Sequence, residues 1–224
     1  MTTAKLDTSL ERELTALKEE GRTKSEERVI QDYIPPAGEK GPRYKLVGSD
    51  NEFIRLNSNS YLSLSNHPAL VAAADAATHK FGVGPGAVRF IDGTFVLHKQ
   101  LEQRIADFLG KPAAKIFNSA YTANSGLALA ISDKRIHWIG DQLNHNRIIR
   151  AMRISNIPRE NKGIFKHNDM ADLERCLAEV GPEIDRVVVI FDGIFSMRGD
   201  HAPIDKIMAI CKSYDDKFRD GVIT

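Results

Sequence analysis

Apolar and polar positions alternate so as to divide the chain into an opening arm and a longer region where helical and strand periods take turns. From about Thr8 to Ile30 the spacing predicts a helix, with Leu10, Leu14 and Leu17 on one face and mostly charged residues elsewhere. Pro35-Pro36-Ala37-Gly38 ends that pattern, and short strand-like pieces follow at Arg43–Val47 and Glu52–Leu56. His67–Lys80 reads as an alanine-rich helix with Pro68 in its first turn. A clean amphipathic helix is predicted from His98 to Leu109, with Leu101, Ile105, Phe108 and Leu109 inward and Gly110 as C-cap. Lys115-Ile116-Phe117 reads as a strand, and helix resumes after Thr122. A strand at Ile136–Ile139 and a helix over Asn144–Met152 come next. Asp169 can cap a helix that turns Leu173, Cys176, Leu177 and Val180 inward. The continuous apolar run Arg186–Phe191 fits a strand buried on both faces of a parallel sheet. Pro203 opens a last helix with Ile204, Ile207, Met208 and Ile210 inward.

Strands alternating with helices imply an α/β domain with a mostly parallel sheet and flanking helices. Residues 1–58 read as an N-terminal arm and residues 59–224 as the domain. The turn Asp220-Gly221 followed by Val222-Ile223-Thr224 reads as a buried strand cut short, which would leave neighbouring backbone groups unpaired. The expectation is a fragment, incomplete at its C-terminus.

Charge changes the picture by exclusion. The 31 Lys and Arg balance 30 Asp and Glu, so nothing electrostatic favours nucleic acid or an anionic membrane surface. No apolar run reaches the length of a membrane span, and the charged N-terminus lacks a signal core. A cytoplasmic protein is expected. Cys176 and Cys211 fall on apolar helix faces without a CxxC, which favours buried hydrophobes over a redox pair or metal ligands.

Three polar segments follow predicted strands. Asn118 to Gly126 opens a helix, where outward N–H groups and the helix dipole suit a phosphate. Ser119 and Thr122 can add hydroxyls, and Tyr121 can flank a flat ring; the bland alternative is an N-cap alone. In Asp141 to Asn146, His145 can stack on a planar cofactor or move a proton. The alternative is that Asn144 caps the helix and His145 is an exposed first-turn residue. In Phe191 to Asp200, Ser196 can hydrogen-bond a cofactor oxygen, or the segment is only a turn. Gly82-Val83-Gly84-Pro85-Gly86 is no dinucleotide fingerprint, because it does not follow a strand directly. These segments suggest a cofactor cleft without naming the cofactor.

Taken in order, the motifs resemble those of the α-oxoamine synthase family, acyltransferases dependent on pyridoxal 5'-phosphate (PLP). The carriers are Asn59 to Pro68, Gly86 to Thr94 with His98 to Glu102, Asp141 to Ile149, and Asp192 to Gly199. The resemblance implies a fold-type I PLP-dependent transferase large domain. It implies condensation of an amino acid with an acyl-CoA by a homodimer acting on small molecules, with no nucleic acid or membrane partner. VRFI-x-GT followed by HK-x-LE points to the glycine C-acetyltransferase (2-amino-3-ketobutyrate CoA ligase) branch, with glycine and acetyl-CoA as substrates. An 8-amino-7-oxononanoate synthase-like enzyme and a lysine-less scaffold subunit are the alternatives. By position, Ser119, Ala120 and Tyr121 match contacts to the PLP phosphate, and Ser196 matches a contact to the phenolic oxygen. His145 matches the catalytic histidine that stacks on the pyridine ring, and Asn59 a substrate-binding position. The lysine and the pyridinium-pairing aspartate of the family fall in segments expected after Thr224. The fragment alone is therefore expected to be inactive.

Overall fold

The computed structural model describes residues 3–24 and 27–224. They fall into two compact units, Met1–Gly84 and Pro85–Thr224. In the first, helix α1 (Ala4–Glu19) buries none of its residues. It stops well before Ile30, because Gly21 takes a left-handed φ of 64° that a helix cannot continue. Residues 25 and 26 of the expected helix lie outside the described residues. Ile30 instead begins strand β1 (Ile30–Ile34), which pairs antiparallel with β2 (Arg43–Leu46), itself paired with β3 (Glu52–Phe53). Tyr33 faces Tyr44 across β1 and β2 with ring centroids 5.5 Å apart. That cross-strand contact replaces the helical reading of this stretch. Helix α2 (Pro68–Phe81) starts at the proline, as expected, and the His67 ring accepts the Ala69 N–H.

The second unit carries the parallel sheet. Its elements are α3 (Val96–Phe108), α4 (Ala120–Ile131), β4 (Ile136–Asp141), α5 (Asn146–Ile154), β5 (Lys162–Phe165), α6 (Met170–Glu179), β6 (Arg186–Ile190), β7 (Ile194–Phe195), β8 (Asp200–His201), α7 (Ile204–Ser213) and β9 (Val222–Ile223). The sheet order is β5-β4-β6-β9, all parallel, and β7 and β8 form a separate antiparallel ribbon. Residues of β4 and β6 point alternately to two cores. Ile136, Trp138 and Val188 pack with Ala128 of α4 and Ile148, Ala151 and Met152 of α5. Ile139, Val187 and Val189 pack with Leu173 and Leu177 of α6 and Ile207 and Cys211 of α7. The result is a three-layer α/β/α sandwich, and it explains the unbroken apolar run of β6. Both cysteines are buried and unpaired, and burial pushes their thiols up, to about 11 for Cys211.

Three expectations fail for a common reason: the partner surface decides, not the local period. Lys115–Phe117 is not a strand among the described residues. The Ile116 N–H bonds to the Glu102 carboxylate at 3.4 Å rather than to a neighbouring strand. On α3 the buried residues are Glu102 and Ala106, while Leu101, Phe108 and Leu109 are exposed. Arg89 at 3.0 Å and Lys99 at 2.9 Å compensate the buried Glu102 and set the helix's rotation. On α7, Ile207 and Cys211 point in, whereas Ile204 and Met208 lie about half exposed and Ile210 only packs at the core's margin.

The Gly86–Thr94 motif thus acquires a structural reading. Arg89 donates to Thr94 at 3.0 Å and to Glu102 at 3.0 Å, closing the loop onto α3. A Cβ on Gly93 would sit 2.0 Å from the Ala87 carbonyl oxygen, so this close approach requires glycine.

Leu177 is completely buried. Leu177→Ala should cost about 2–5 kcal/mol, read as a lower urea midpoint. Hydrogen bonds from Lys99, Arg89 and the Ile116 N–H outweigh burial and hold Glu102 down to about 2, from an ordinary value of 4.5. A depressed folded value stabilises the fold above the unfolded value, and the gain is lost as pH falls from about 4.5 to about 2. Glu102→Gln should remove that part of the acid sensitivity, measured as the thermal midpoint against pH.

Candidate functional site

Topology brings three of the expected segments to one edge of the second unit. In β4 and β6 the strands end at Asp141 and Ile190, and the loops beyond them carry His145 and the ribbon with Ser196. Helix α4 packs on the same sheet and feeds into β4 from its C-terminus, where Ser132 accepts the Trp138 indole N–H at 2.9 Å. The helix therefore runs back along the sheet. At 12 residues it reaches roughly 18 Å, close to the length of the six-residue β4, so its N-terminus lies at the carboxyl ends of the strands. Clefts at that edge are where parallel α/β sheets build their sites.

The start of α4 is built around Ser119. Its extended backbone (φ −159°, ψ 157°) makes it the N-cap, and its hydroxyl oxygen accepts the Thr122 N–H at 3.1 Å. The Thr122 hydroxyl is held inside the turn by the Asn118 side chain at 2.7 Å and the Ser119 carbonyl at 2.9 Å. Capping thus absorbs both hydroxyls. The N–H groups of Ala120 and Tyr121 remain, because the first turn of a helix supplies them no carbonyl. Two outward N–H groups at the positive end of the helix dipole fit a phosphate. The Tyr121 ring stands beside them, half exposed.

His145, not Asn144, is the N-cap of α5, and its ring Nδ1 accepts the Arg147 N–H at 3.1 Å. The imidazole is exposed, but the backbone beneath it is clamped. The His145 N–H donates to Asp192 Oδ2 at 2.6 Å, and the Arg147 guanidinium bonds the other carboxylate oxygen. Buried Asn144 does the work of a strand between the two loops: its amide donates to the Ile190 carbonyl at 2.8 Å and accepts the Asp192 N–H at 3.1 Å. Ser196 sits exposed in the turn joining β7 to β8. Phe195 beside it is buried in the α6–α7 core.

Asn59 belongs to the first unit. It is exposed and lines a shallow groove with Ser60, Leu64 and Leu70. The next residues, Tyr61, Leu62 and Ser63, all take positive φ values of 36°, 49° and 57°. Such runs are costly for residues with side chains and persist only where the surroundings enforce them.

Sequence reasoning missed the fastening residues Asn144, Arg147, Asp192 and His167. Their partners are 26 to 48 positions away, so no local period reveals them. Their one visible signal is that polar residues follow β4 and β5 directly and β6 after Phe191. Among the described residues, no group of three or more ligands suits a metal, and no helix is long and apolar enough to cross a membrane.

A family profile for aminotransferases of class I and II matches residues 51–217, and the chain belongs to that family. Its α-oxoamine synthase branch is the one the relatives define. An 8-amino-7-oxononanoate synthase of Thermoanaerobacter pseudethanolicus is 43% identical over 189 residues, covering 82% of this chain and 47% of that protein. One from Treponema denticola is 38% identical over 220 residues, covering 96% and 53%. A solved serine palmitoyltransferase from S. paucimobilis, holding PLP and myriocin, superposes with a TM-score of 0.79 at 28% identity, covering 96% of this chain and 51% of that one. The chain spans about half the length of the curated relatives it matches. The family's cofactor is PLP.

The buried Asp192 holds the His145 cap, so Asp192→Ala should loosen it. We expect a loss of about 1–3 kcal/mol in urea unfolding, with the His145 and Arg147 amide resonances shifting most in an NMR spectrum. Unchanged stability and unmoved resonances would show that the clamp is idle.

Proposed function

We propose that this chain grips PLP at the carboxyl edge of its sheet, as part of an enzyme that joins an amino-acid carbon to an acyl thioester. The observation that carries the reading is the Ser119-capped N-terminus of α4, which the run of α4 back along β4 brings to the edge of the fastened His145 and the Ser196 turn. The Ala120 and Tyr121 N–H groups bind the phosphate, with Ser119 holding the turn that aims them. His145 covers one ring face, and Ser196 donates to the phenolic oxygen. For Asn59, in the first unit, a substrate contact is supported by the family resemblance alone. When bound, PLP supplies an electron sink for the α-carbon of the amino acid. The protein's part is to orient that carbon and keep the ring fixed. In the complete enzyme the working unit is a homodimer.

The relatives' name carries chemical information. In 8-amino-7-oxononanoate a CH3–CH(NH2)– group is joined through a ketone to a chain ending in a carboxylate. Such a product forms when alanine loses its carboxylate as CO2 and the remaining carbon displaces the thiol of a seven-carbon ω-carboxyacyl thioester. We infer this substrate class for the enzyme, in preference to the glycine and acetyl-CoA suggested by VRFI-x-GT and HK-x-LE. The relatives favour the former.

The test offers the gene product containing this chain, loaded with PLP, the two substrate pairs separately. Alanine with the ω-carboxyacyl thioester should release free thiol, CO2 and the amino ketone. Turnover of glycine with acetyl-CoA alone would restore the other branch, and no turnover of either would sink the reading. Ser196→Ala should weaken PLP binding about five- to tenfold, the value of one hydrogen bond.

A further inference from the structure

Beyond β5 stands His167, which the proposed cofactor contacts do not include. The His167 ring lies between two carboxylates: Nδ1 is 2.9 Å from Asp141 Oδ1, at the end of β4, and Nε2 is 2.9 Å from Asp200 Oδ2, on β8. The ring is nearly buried and meets Phe195 edge-on, with centroids 4.4 Å apart. Asp141 is fully engaged elsewhere: Oδ1 also accepts the Leu143 N–H at 2.8 Å and Oδ2 the Asn168 N–H at 3.0 Å. Asp200 is less well supplied. Its Oδ1 is buried without a partner among the described residues, and Arg198 Nε approaches Oδ2 only to 3.6 Å. His167 is thus the main polar contact between the β7–β8 ribbon and the sheet.

The geometry favours one protonation state. An ionised carboxylate only accepts, so a ring nitrogen facing one must carry a hydrogen. Both nitrogens face one, which favours the imidazolium. Asn168 Nδ2 lies 3.3 Å from Nε2, which would suit a neutral ring, but that amide also donates to the His201 carbonyl at 3.1 Å. Two charge-assisted bonds at 2.9 Å outweigh one longer neutral contact.

We propose that His167 is a positioning residue: bridging Asp141 and Asp200 as the imidazolium, it fastens the ribbon that presents Ser196 to the carboxyl edge of the sheet. The ribbon's importance for the cofactor rests on the function proposed above; the clamp itself does not. Two charged bonds on one ring also make the fastening depend on a proton. Burial works against the charged ring, but the hydrogen bonds to Asp200 and Asp141 prevail and raise the His167 pKa above its ordinary 6.5. The bond to His167, against burial, lowers Asp200 below its ordinary 3.8. The histidine contribution is therefore complete below 6.5 and is lost as pH rises through the raised value. The aspartate contribution is complete above 3.8 and is lost as pH falls through the lowered one.

The test uses the full chain without cofactor, so its outcome is separate from that of the PLP assay. NMR titration of the His167 ring nitrogens should show both protonated at pH 6, with a midpoint above 6.5. Hydrogen exchange, corrected for its intrinsic pH dependence, should then show the Gly199 and Ala202 amides, bonded to the Phe195 and Gly193 carbonyls, losing about tenfold protection across that midpoint. The Val189 amide in the sheet should not follow. His167→Gln, which cannot titrate, should leave the ribbon weakly protected and flat with pH. A wild-type midpoint at or below 6.5, or a pH step that survives His167→Gln, would overturn the proposal. The wild-type titration decides even where the variant fails to fold.

Discussion

Burial of β4 and β6 on both faces is the constraint on which the second unit depends. A strand covered by helices above and below cannot turn to water for its hydrogen bonds. Their backbone groups turn instead to neighbouring strands, β4 pairing with β6 over five residues and with β5 over four, and the most deeply buried residues are apolar or small enough to pack. Trp138, Ile139, Val187 and Val189 meet that demand, and Gly140 does so by omission: a Cβ there would press on Met152 and Asn144 at 3.1 and 3.2 Å. The polar groups displaced from the strands collect at their ends. Those ends hold the segments proposed to grip the cofactor.

At the carboxyl edge the same constraint produces rigidity. Two strand ends arrive side by side with backbone groups still to satisfy. Asn144 meets the need by acting as a short extension of the sheet, bonding both Ile190 and Asp192. Asp192 then holds the His145 cap, and Asp141 holds the loop that follows β5. Groups that satisfy buried backbone and groups that position an exposed imidazole are here the same residues. A ring resting on such a cap loses little freedom when it meets a flat ligand, which is what preorganisation requires.

The elements most legible in the sequence were those whose pattern coincides with their packing. For β6, α6 and α2 the expected element and its boundaries hold nearly to the residue, since a two-faced strand, a capped amphipathic helix and an N1 proline each leave a local signature. On α3 the pattern misled. Four apolar residues marked one face, yet a buried glutamate with three cationic partners turned another face inward. Lys115–Phe117 failed similarly, since a strand exists only where a neighbour accepts its hydrogen bonds.

By itself, the sequence determined the α/β architecture, the parallel sheet, the order of the motifs and the types of residue offered to a cofactor. Periodicity and turn chemistry are local, and they survive reading along a line. Tertiary structure alone decided that Ser119 and Thr122 spend their hydroxyls on capping, that His145 rather than Asn144 ends the loop, and that His167 joins Asp141 to Asp200. The His145 clamp and the His167 bridge join residues 26 to 47 positions apart, while the capping at Ser119, though local, was one of two readings the sequence left open; hydrogen bonding is settled by distance in space.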